Sequence, residues 1–395
     1  MIIFTPKTKN ELHCAILSYY NDEPYAKKTY GSINNWDVSN ITDMSQLFSN
    51  LKYFNHQLND WDVSNVTNMS SMFFGCHNFN QPINNWHVLN VTNMSNMFGG
   101  CHNFNQSINN WNVSNVTNMC FMFFGCYIFN QPINNWNVSN VTNMTSMFCN
   151  CYQFNQLLNN WNVSNVTNMS HMFDCCNDFN QQINNWNVSK VTNMSYMFSD
   201  CHQFNQPLNN WDISNVSLAG SMFNKCHNFN QSLNNWNVSN IKNMKSMFSY
   251  CNKFNKPLNN WNVSNVQSMT AMFYGCHNFN QSLNNWNVSN VTDTLNMFGD
   301  CVSLNKLNIL FLLNIVHKDG TILNILLKYM SVIEIYCLVE NKEMFLKHFS
   351  PYYKNHKNEI QKFIDTSTIQ ICELCFLETD CINQNQKYIC GLCLS

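Results

Sequence analysis

Residues 109–131 read Asn109-Asn110-Trp111-Asn112-Val113-Ser114-Asn115-Val116-Thr117-Asn118-Met119-Cys120-Phe121-Met122-Phe123-Phe124-Gly125-Cys126-Tyr127-Ile128-Phe129-Asn130-Gln131. Nearly the same words recur before and after it. All eleven Trp fall on one series with a step of 25: Trp36, Trp61, Trp86, Trp111, Trp136, Trp161, Trp186, Trp211, Trp236, Trp261 and Trp286. Counted from each Trp, a Val or Ile stands two and five residues on, a Met usually eight, a Met-Phe pair usually eleven and twelve, a Cys usually fifteen and a Phe usually eighteen. A fixed period of this size marks a solenoid, because one unit cannot bury its own apolar face and must stack on its neighbours.

Within a unit the apolar spacing changes. Ile108, Trp111 and Val113 are spaced i, i+3, i+5 with Asn between them, which predicts a short strand pointing alternate side chains inward. The Pro residues of the repeat (Pro82, Pro132, Pro207, Pro257) precede this stretch, where a missing N–H does not break a ladder. Ser114 to Asn118 reads as a turn, and Met119, Met122 and Phe123 at i, i+3, i+4 predict about two helical turns capped by Thr117 or Asn118. Gly125, like Gly75, Gly100 and Gly275, would close that helix in the left-handed conformation.

The predicted fold is therefore an α/β repeat solenoid of about eleven 25-residue coils, each a short strand plus a short helix, at 33–305. Residues 1–32 are expected to form an N-terminal capping helix, with Asn10 as N-cap and Leu12, Ile16 and Tyr19 or Tyr20 on one face. Beyond Leu304 the repeat dissolves, and 306–368 reads as a helical cap or C-terminal domain. The last 27 positions, 369–395, carry Cys372-x2-Cys375 and Cys390-x2-Cys393 around a 14-residue gap. That spacing suits two knuckles holding one structural zinc through four thiolates, like a zinc ribbon, with Cys381 in reserve. A complete two-zinc RING needs eight ligands, and the tail has five Cys and no His after His356.

The recurrent Asn-Trp-Asn-Val-Ser-Asn-Val-Thr-Asn-Met-Ser-x-Met-Phe followed by Gly-Cys-x-x-Phe-Asn-Gln resembles the BspA-like leucine-rich repeats, in particular the surface-protein repeat of mycoplasma lipoproteins and related bacteria. Thr8-Lys9-Asn10-Glu11-Leu12 is similar to that family's segment before its first repeat, so the resemblance runs over roughly residues 5 to 305. It implies a leucine-rich-repeat-type solenoid with a role in adhesion or protein binding. The family's bacterial members are typically exported, whereas Met1 to Tyr20 lacks the three regions of a secretory signal peptide and Cys14 sits in an expected helix rather than a lipobox. Related repeats occur in protists and large DNA viruses. An intracellular location, the cytoplasm of a host cell included, is expected, with the exported adhesin-like surface protein as the alternative. On the intracellular reading, sequons such as those at Asn112 and Asn115 are accidental to the repeat.

Composition narrows function further. Twenty basic and 22 acidic side chains leave a formal charge of -2, which offers nucleic acid no field. Every basic residue is Lys, and Asn makes up roughly a fifth of the chain, a pairing expected of an AT-rich genome. The apolar stretch at 307–339 is interrupted by His317, Lys318, Asp319, Lys328 and Glu334, so no membrane span is expected. With 11% charged residues, and neither a phosphate loop nor a nucleophile elbow nor a metal helix, catalysis is not expected.

Ten Cys lie in register from Cys76 to Cys301. A disulfide ladder does not fit, since stacked coils hold equivalent atoms about 4.8 Å apart and a disulfide needs Cβ atoms nearer 3.8 Å. These thiols, like the Trp, Met and Phe columns, read as core. The His after several column Cys read as exposed turns, and the Asn columns as partners for backbone groups. Specificity is left to the positions that vary. Ten residues after Trp stand Ser71, Asn96, Phe121, Ser146, His171, Tyr196 and Ser246, and the residue after the column Cys is mostly His, Tyr or Asn. The face carrying Phe121, Tyr127, His171 and Tyr196 is expected to bind a protein partner, which makes the chain a non-catalytic interaction scaffold.

Overall fold

The computed structural model describes residues 4–305 together with Asn308, Ile309, Leu312, Leu326 and Ile335. Apart from those last five positions, the expected helical region at 306–368 lies outside the described residues. The whole Cys372, Cys375, Cys390 and Cys393 tail does so too, and with it the expected zinc.

Two helices open the chain. Helix α1, Lys9–Asn21, starts at Thr8, whose hydroxyl accepts from the Glu11 N–H at 3.2 Å. The N-cap is thus Thr8 and not Asn10, which lies within the first turn. Leu12, Ala15, Ile16 and Tyr19 are its buried face. Its polar side is pinned to the first coil by Lys9 Nζ on Asp43 at 3.0 Å and by His13 Nδ1 at 3.0 Å from the Leu47 carbonyl. Helix α2, Glu23–Tyr30, follows at once, with Asp22 as its cap and Pro24 in its first turn. A 3-10 turn, Ile33–Asn35, then leads into Trp36.

Among the described residues the coils that follow contain neither the expected strand nor the expected helix. Each is a chain of tight turns. In the coil that begins at Trp111, backbone N–H groups close turns three residues back at Trp111, Val116, Met122, Phe124, Cys126 and Phe129. Between these, the intervening N–H groups leave the coil. Met119, Phe121, Phe123 and Gly125 donate to the carbonyls of Asn143, Thr145, Met147 and Cys149 in the next coil at 2.8–3.2 Å. Thr117 donates backwards to Thr92 at 2.9 Å. Parallel bridges join the Asn118 column from Asp43 to Asp293. The ladder thus lies on the stretch read from sequence as helix, and none runs over Ile108–Val113.

The physical reason is in the backbone. Phe121 has φ 58° and Gly125 has φ 69°, and every coil repeats positive φ at both places. A right-handed helix admits no such residue. Two i, i+3 turns whose third residue is left-handed, of the type II kind, face the same side that a helix would, so Met119, Met122 and Phe123 still point inward. Holding a non-Gly residue left-handed costs roughly 1–2 kcal/mol. Burying Met122 and Phe123 is worth roughly 1.5–3 kcal/mol each, which outweighs it. Asn118 serves as an Asx turn, its Oδ1 accepting from Cys120 N–H at 3.1 Å, instead of capping a helix.

The interior is continuous. Ile108, Trp111, Val113, Val116, Met119, Met122, Phe123, Cys126 and Phe129 of one coil are all buried, as are their equivalents along the stack. Phe98 and Phe123 stack at 5.7 Å, and Phe123 lies on Phe129 at 4.1 Å. Two polar side chains of this core are donors. Each Trp from Trp61 on gives its indole N–H to the carbonyl 28 residues earlier, as Trp111 does to Ile83 at 3.1 Å. Each column Cys gives its S–H in the same way, as Cys126 does to Phe98 at 3.1 Å. The accepting carbonyls already close a turn within their own coil, so the side chain fills a second lone pair that a dry interior would leave empty. The first coil has no coil before it, and there the Trp36 Nε1 is buried without a partner. Phe4, Tyr19 and Tyr30 pack their rings edge-on against it instead.

Two outcomes follow from this geometry. Ala271 has φ 51° and no side chain beyond Cβ, so Ala271→Gly should raise stability by about 1 kcal/mol and Ala271→Val should lower it by more, in denaturant titration. A reversed order would mean the left-handed turn is absent. The second concerns pH. Burial raises the thiols of Cys76, to about 12, and of Cys101, Cys126, Cys151, Cys176, Cys201, Cys226, Cys251 and Cys276. Unfolded thiols lose their protons near pH 8.5 to 9, so above that range the folded state binds more protons. The contribution is intact below about pH 9 and is lost as pH rises toward the folded values, by up to about 1.4 kcal/mol per unit for each thiol. Trp fluorescence should show cooperative alkaline unfolding, shallower in a Cys101→Ala, Cys126→Ala variant. A wild-type midpoint in urea that stays constant from pH 8 to about pH 11 would contradict it.

Candidate functional site

The residues of the turn ladder that vary between coils fall in columns at ten, thirteen, fourteen and sixteen residues after each Trp. The ten and fourteen positions are left-handed throughout, and in the ten column Phe121 and Tyr196 are exposed while Ser146 and Ser221 are buried. The interior is nearly constant, and these columns carry the differences between coils.

Phe121, His171 and Tyr196 occupy the first column, with φ 58°, 55° and 59°. His171 and Tyr196 stack face to face at 4.5 Å. Phe121 stands apart from that pair, with Ser146 between, and its ring meets Phe124 edge-on at 5.9 Å. Tyr127 belongs to the last column. There His77, His102, Tyr127 and Tyr152 form one run of four rings, with successive centroids 4.2, 4.3 and 5.1 Å apart. Phe121, Tyr127, Tyr152 and Tyr196 are all exposed, by 37–40%. Burial, then the charge of His77, holds His102 below the usual imidazole value, which favours its neutral ring. The four residues expected at the site are thus on one side of the rod, but in two separate rows. His77, His102 and Tyr152 join the second row, which the identity of the residues after the column Cys hinted at and the stacking makes plain.

Between the two rows lies a group that sequence reading passed over. Asp174, Cys175 and Asp200 bring one carboxylate oxygen, the sulfur and another carboxylate oxygen within 4.8 Å of one another. Cys175 Sγ is 3.7 Å from Asp174 Oδ1, and the other Asp174 oxygen takes His171 Nδ1 at 2.9 Å. On the far side Lys225 Nζ reaches Asp200 at 3.1 Å, and His202 Nε2 stands 3.7 Å from it. Cys149 sits one coil before Asp174 in the same column and is buried. Burial and the carboxylates of Asp174 and Asp200 push the Cys175 thiol up to about 12, and burial, Asp174 and Cys175 do the same for Cys149. Asp200 in turn raises Lys225.

Cys, His and Asp in one place invite comparison with a nucleophilic triad. The arrangement argues against it, because His171 bonds to Asp174 and not to the sulfur, and the surrounding carboxylates disfavour a thiolate. A shallow groove of about 540 Å³, lined by Lys242, Asn265, Gln267, Asn290 and Thr292, carries no carboxylate, His or Cys beside its Lys and Thr to act as a base. No helix among the described residues is long and apolar enough to cross a membrane.

Among known proteins, a family model described as "Mycoplasma protein of unknown function, DUF285" matches residues 22–135, 82–173, 121–232, 153–257 and 208–310. No curated protein matches the sequence. Solved structures with some likeness include a leucine-rich-repeat protein from Eubacterium ventriosum, 12% identical with a TM-score of 0.29, over 72% of this chain and 81% of that one. A leucine-rich-repeat protein of Leptospira interrogans is 7% identical with a TM-score of 0.18, over 63% and 71%. A TLR13–ssRNA13 complex is 9% identical with a TM-score of 0.21, over 73% of this chain and 47% of that one, so this chain spans about half the length of that one. The overlapping matches follow the solenoid from its first coil to its last, and the chain belongs to the DUF285 family of repeat proteins.

Proposed function

We propose that the protein is a non-catalytic scaffold whose ladder side binds a partner protein. The observation that carries this is the contrast between a repeated interior and a varied outer face. Eleven coils share their buried residues, while the outward columns change from coil to coil and gather exposed rings at Phe121, Tyr127, Tyr152 and Tyr196. Rigid aromatic side chains on a fixed backbone bind with little loss of conformational freedom, and Tyr is enriched at protein interfaces. The near-neutral charge of the chain favours a protein over a nucleic acid.

The finer kinship we propose is with the BspA-like leucine-rich repeats. For location we propose the interior of a cell, supported by the ten column cysteines that serve as S–H donors in the core. For the C-terminus we propose a single structural zinc on Cys372, Cys375, Cys390 and Cys393, supported by their spacing.

The test is affinity capture with the full chain and with a Phe121→Ala, Tyr127→Ala, Tyr196→Ala variant, with thermal unfolding of both measured alongside. All three positions are exposed, so the melting curve should move little while the bound proteins fall away. The same proteins retained by the variant would remove this face from consideration.

A further inference from the structure

We propose that Cys175, Asp174 and Asp200 form a site for a thiophilic divalent cation of the zinc class. The proposal stands apart from the scaffold reading and from the C-terminal cysteines.

The group is more than an acidic patch. The Cys149 thiol is buried, with the residue 7% exposed, and unlike the ten column thiols it donates to no carbonyl among the described residues. It borders the two side chains it would complete, Asp174 and Cys175, one coil away along the stack. A buried polar atom left without a partner is uncommon and calls for an explanation. The Cys149 sulfur is not among the three ligand atoms that lie within 4.8 Å of one another, so it would have to turn toward them to serve as a fourth ligand.

The distances fit with little movement. A zinc-class ion holds sulfur at about 2.3 Å and carboxylate oxygen at about 2.0–2.2 Å, so ligand atoms around it lie about 3.3–3.8 Å apart. The Cys175 to Asp174 separation is already 3.7 Å, and the widest gap, within 4.8 Å, needs to close by about 1 Å. The backbone under these ligands is fixed, since Cys175 N–H donates to Ser199 and Asp200 N–H to Asn224 at 2.8 and 2.7 Å. Only side-chain rotation is required. His171 holds the outer Asp174 oxygen and leaves the other turned toward the sulfur, the kind of support that orients metal ligands.

Charge points the same way. Among the described residues the one ammonium within ion-pair distance is Lys225 on Asp200, while Asp174 faces the His171 imidazole, so the ion would take the place of that ammonium on Asp200. As the metal–sulfur bond forms, the Cys175 S–H proton leaves to solvent. Calcium and magnesium call for six or more oxygens or retained waters, and two carboxylates beside thiols suit them poorly.

The test uses the full chain, reduced and stripped of metal, titrated with cobalt(II) and with zinc. Cobalt should bind with thiolate-to-metal charge-transfer absorption. In Cys175→Ser one equivalent of cobalt and its share of that absorption should be lost, and the melting curve should stay near wild type. Asp200→Asn should weaken the same equivalent, and Lys225→Gln, which removes the competing ammonium, should tighten it several-fold. The C-terminal cysteines are intact in all four chains, so any metal they hold cancels. Independently, zinc but not magnesium should slow alkylation of Cys175, located by peptide mapping. Equal cobalt binding and absorption in wild type and Cys175→Ser, or alkylation of Cys175 indifferent to zinc, would overturn the proposal.

Discussion

A backbone folded into tight turns has too few partners within one coil, and the structure depends on how the remaining N–H and C=O groups are met. In each coil the N–H groups of the ladder alternate between closing a turn at home and donating to the next coil. That alternation requires left-handed residues at two places per coil, and both are present along the whole stack. The Trp indole and the Cys thiol then serve carbonyls on the dry side that already accept one turn bond. Columns that look like plain hydrophobic packing are thus also hydrogen-bond donors to the preceding coil. The consequence is mutual dependence: remove a neighbour and the backbone of a coil loses its partners. Trp36, the one indole with no coil before it, has to be covered by rings instead.

Much of this was legible before any coordinates. The 25-residue step of the Trp series fixed a stack of coils, and the inward set from Ile108 to Phe129 is buried as its spacing implied. The disposition of Phe121, His171 and Tyr196 on one outer column also followed from counting. The local structure did not. An i, i+3, i+4 spacing at Met119, Met122 and Phe123 is what a helix gives, but successive turns with a left-handed residue give it too. Nothing in a run containing Phe121, His171 or Tyr196 announces positive φ, because those side chains are poor left-handed formers that only the stack holds there. Gly at 75, 100, 125 and 275 marked the second left-handed place, yet it was compatible with a helix end as well. Thr8, two residues before the expected cap, competes with Asn10 on equal chemical terms, and only the geometry separates them.

The cluster at Asp174, Cys175 and Asp200 was invisible for a different reason. Its members are 25 or 26 residues apart or adjacent, and no motif joins them until the coils are stacked. What the sequence held was their departure from the Ser, Gly and Asn usual at those columns. The same logic gives the outer face its character: once the interior is committed to stacking, chemical difference can collect only where side chains leave the rod. A rigid lattice of outward positions, with rings in two rows and a thiol-carboxylate group between them, is a surface that substitution can vary without disturbing the fold.

The central claim is the left-handed turn in every coil, and backbone NMR of the selectively labelled chain tests it most directly. Amide-to-α-proton couplings and α-carbon shifts at Phe121, His171 and Tyr196 report the sign of φ. The account requires left-handed values at all three, with amide exchange at Phe121 and Phe123 as slow as global unfolding. Right-handed helical values at these residues would contradict it.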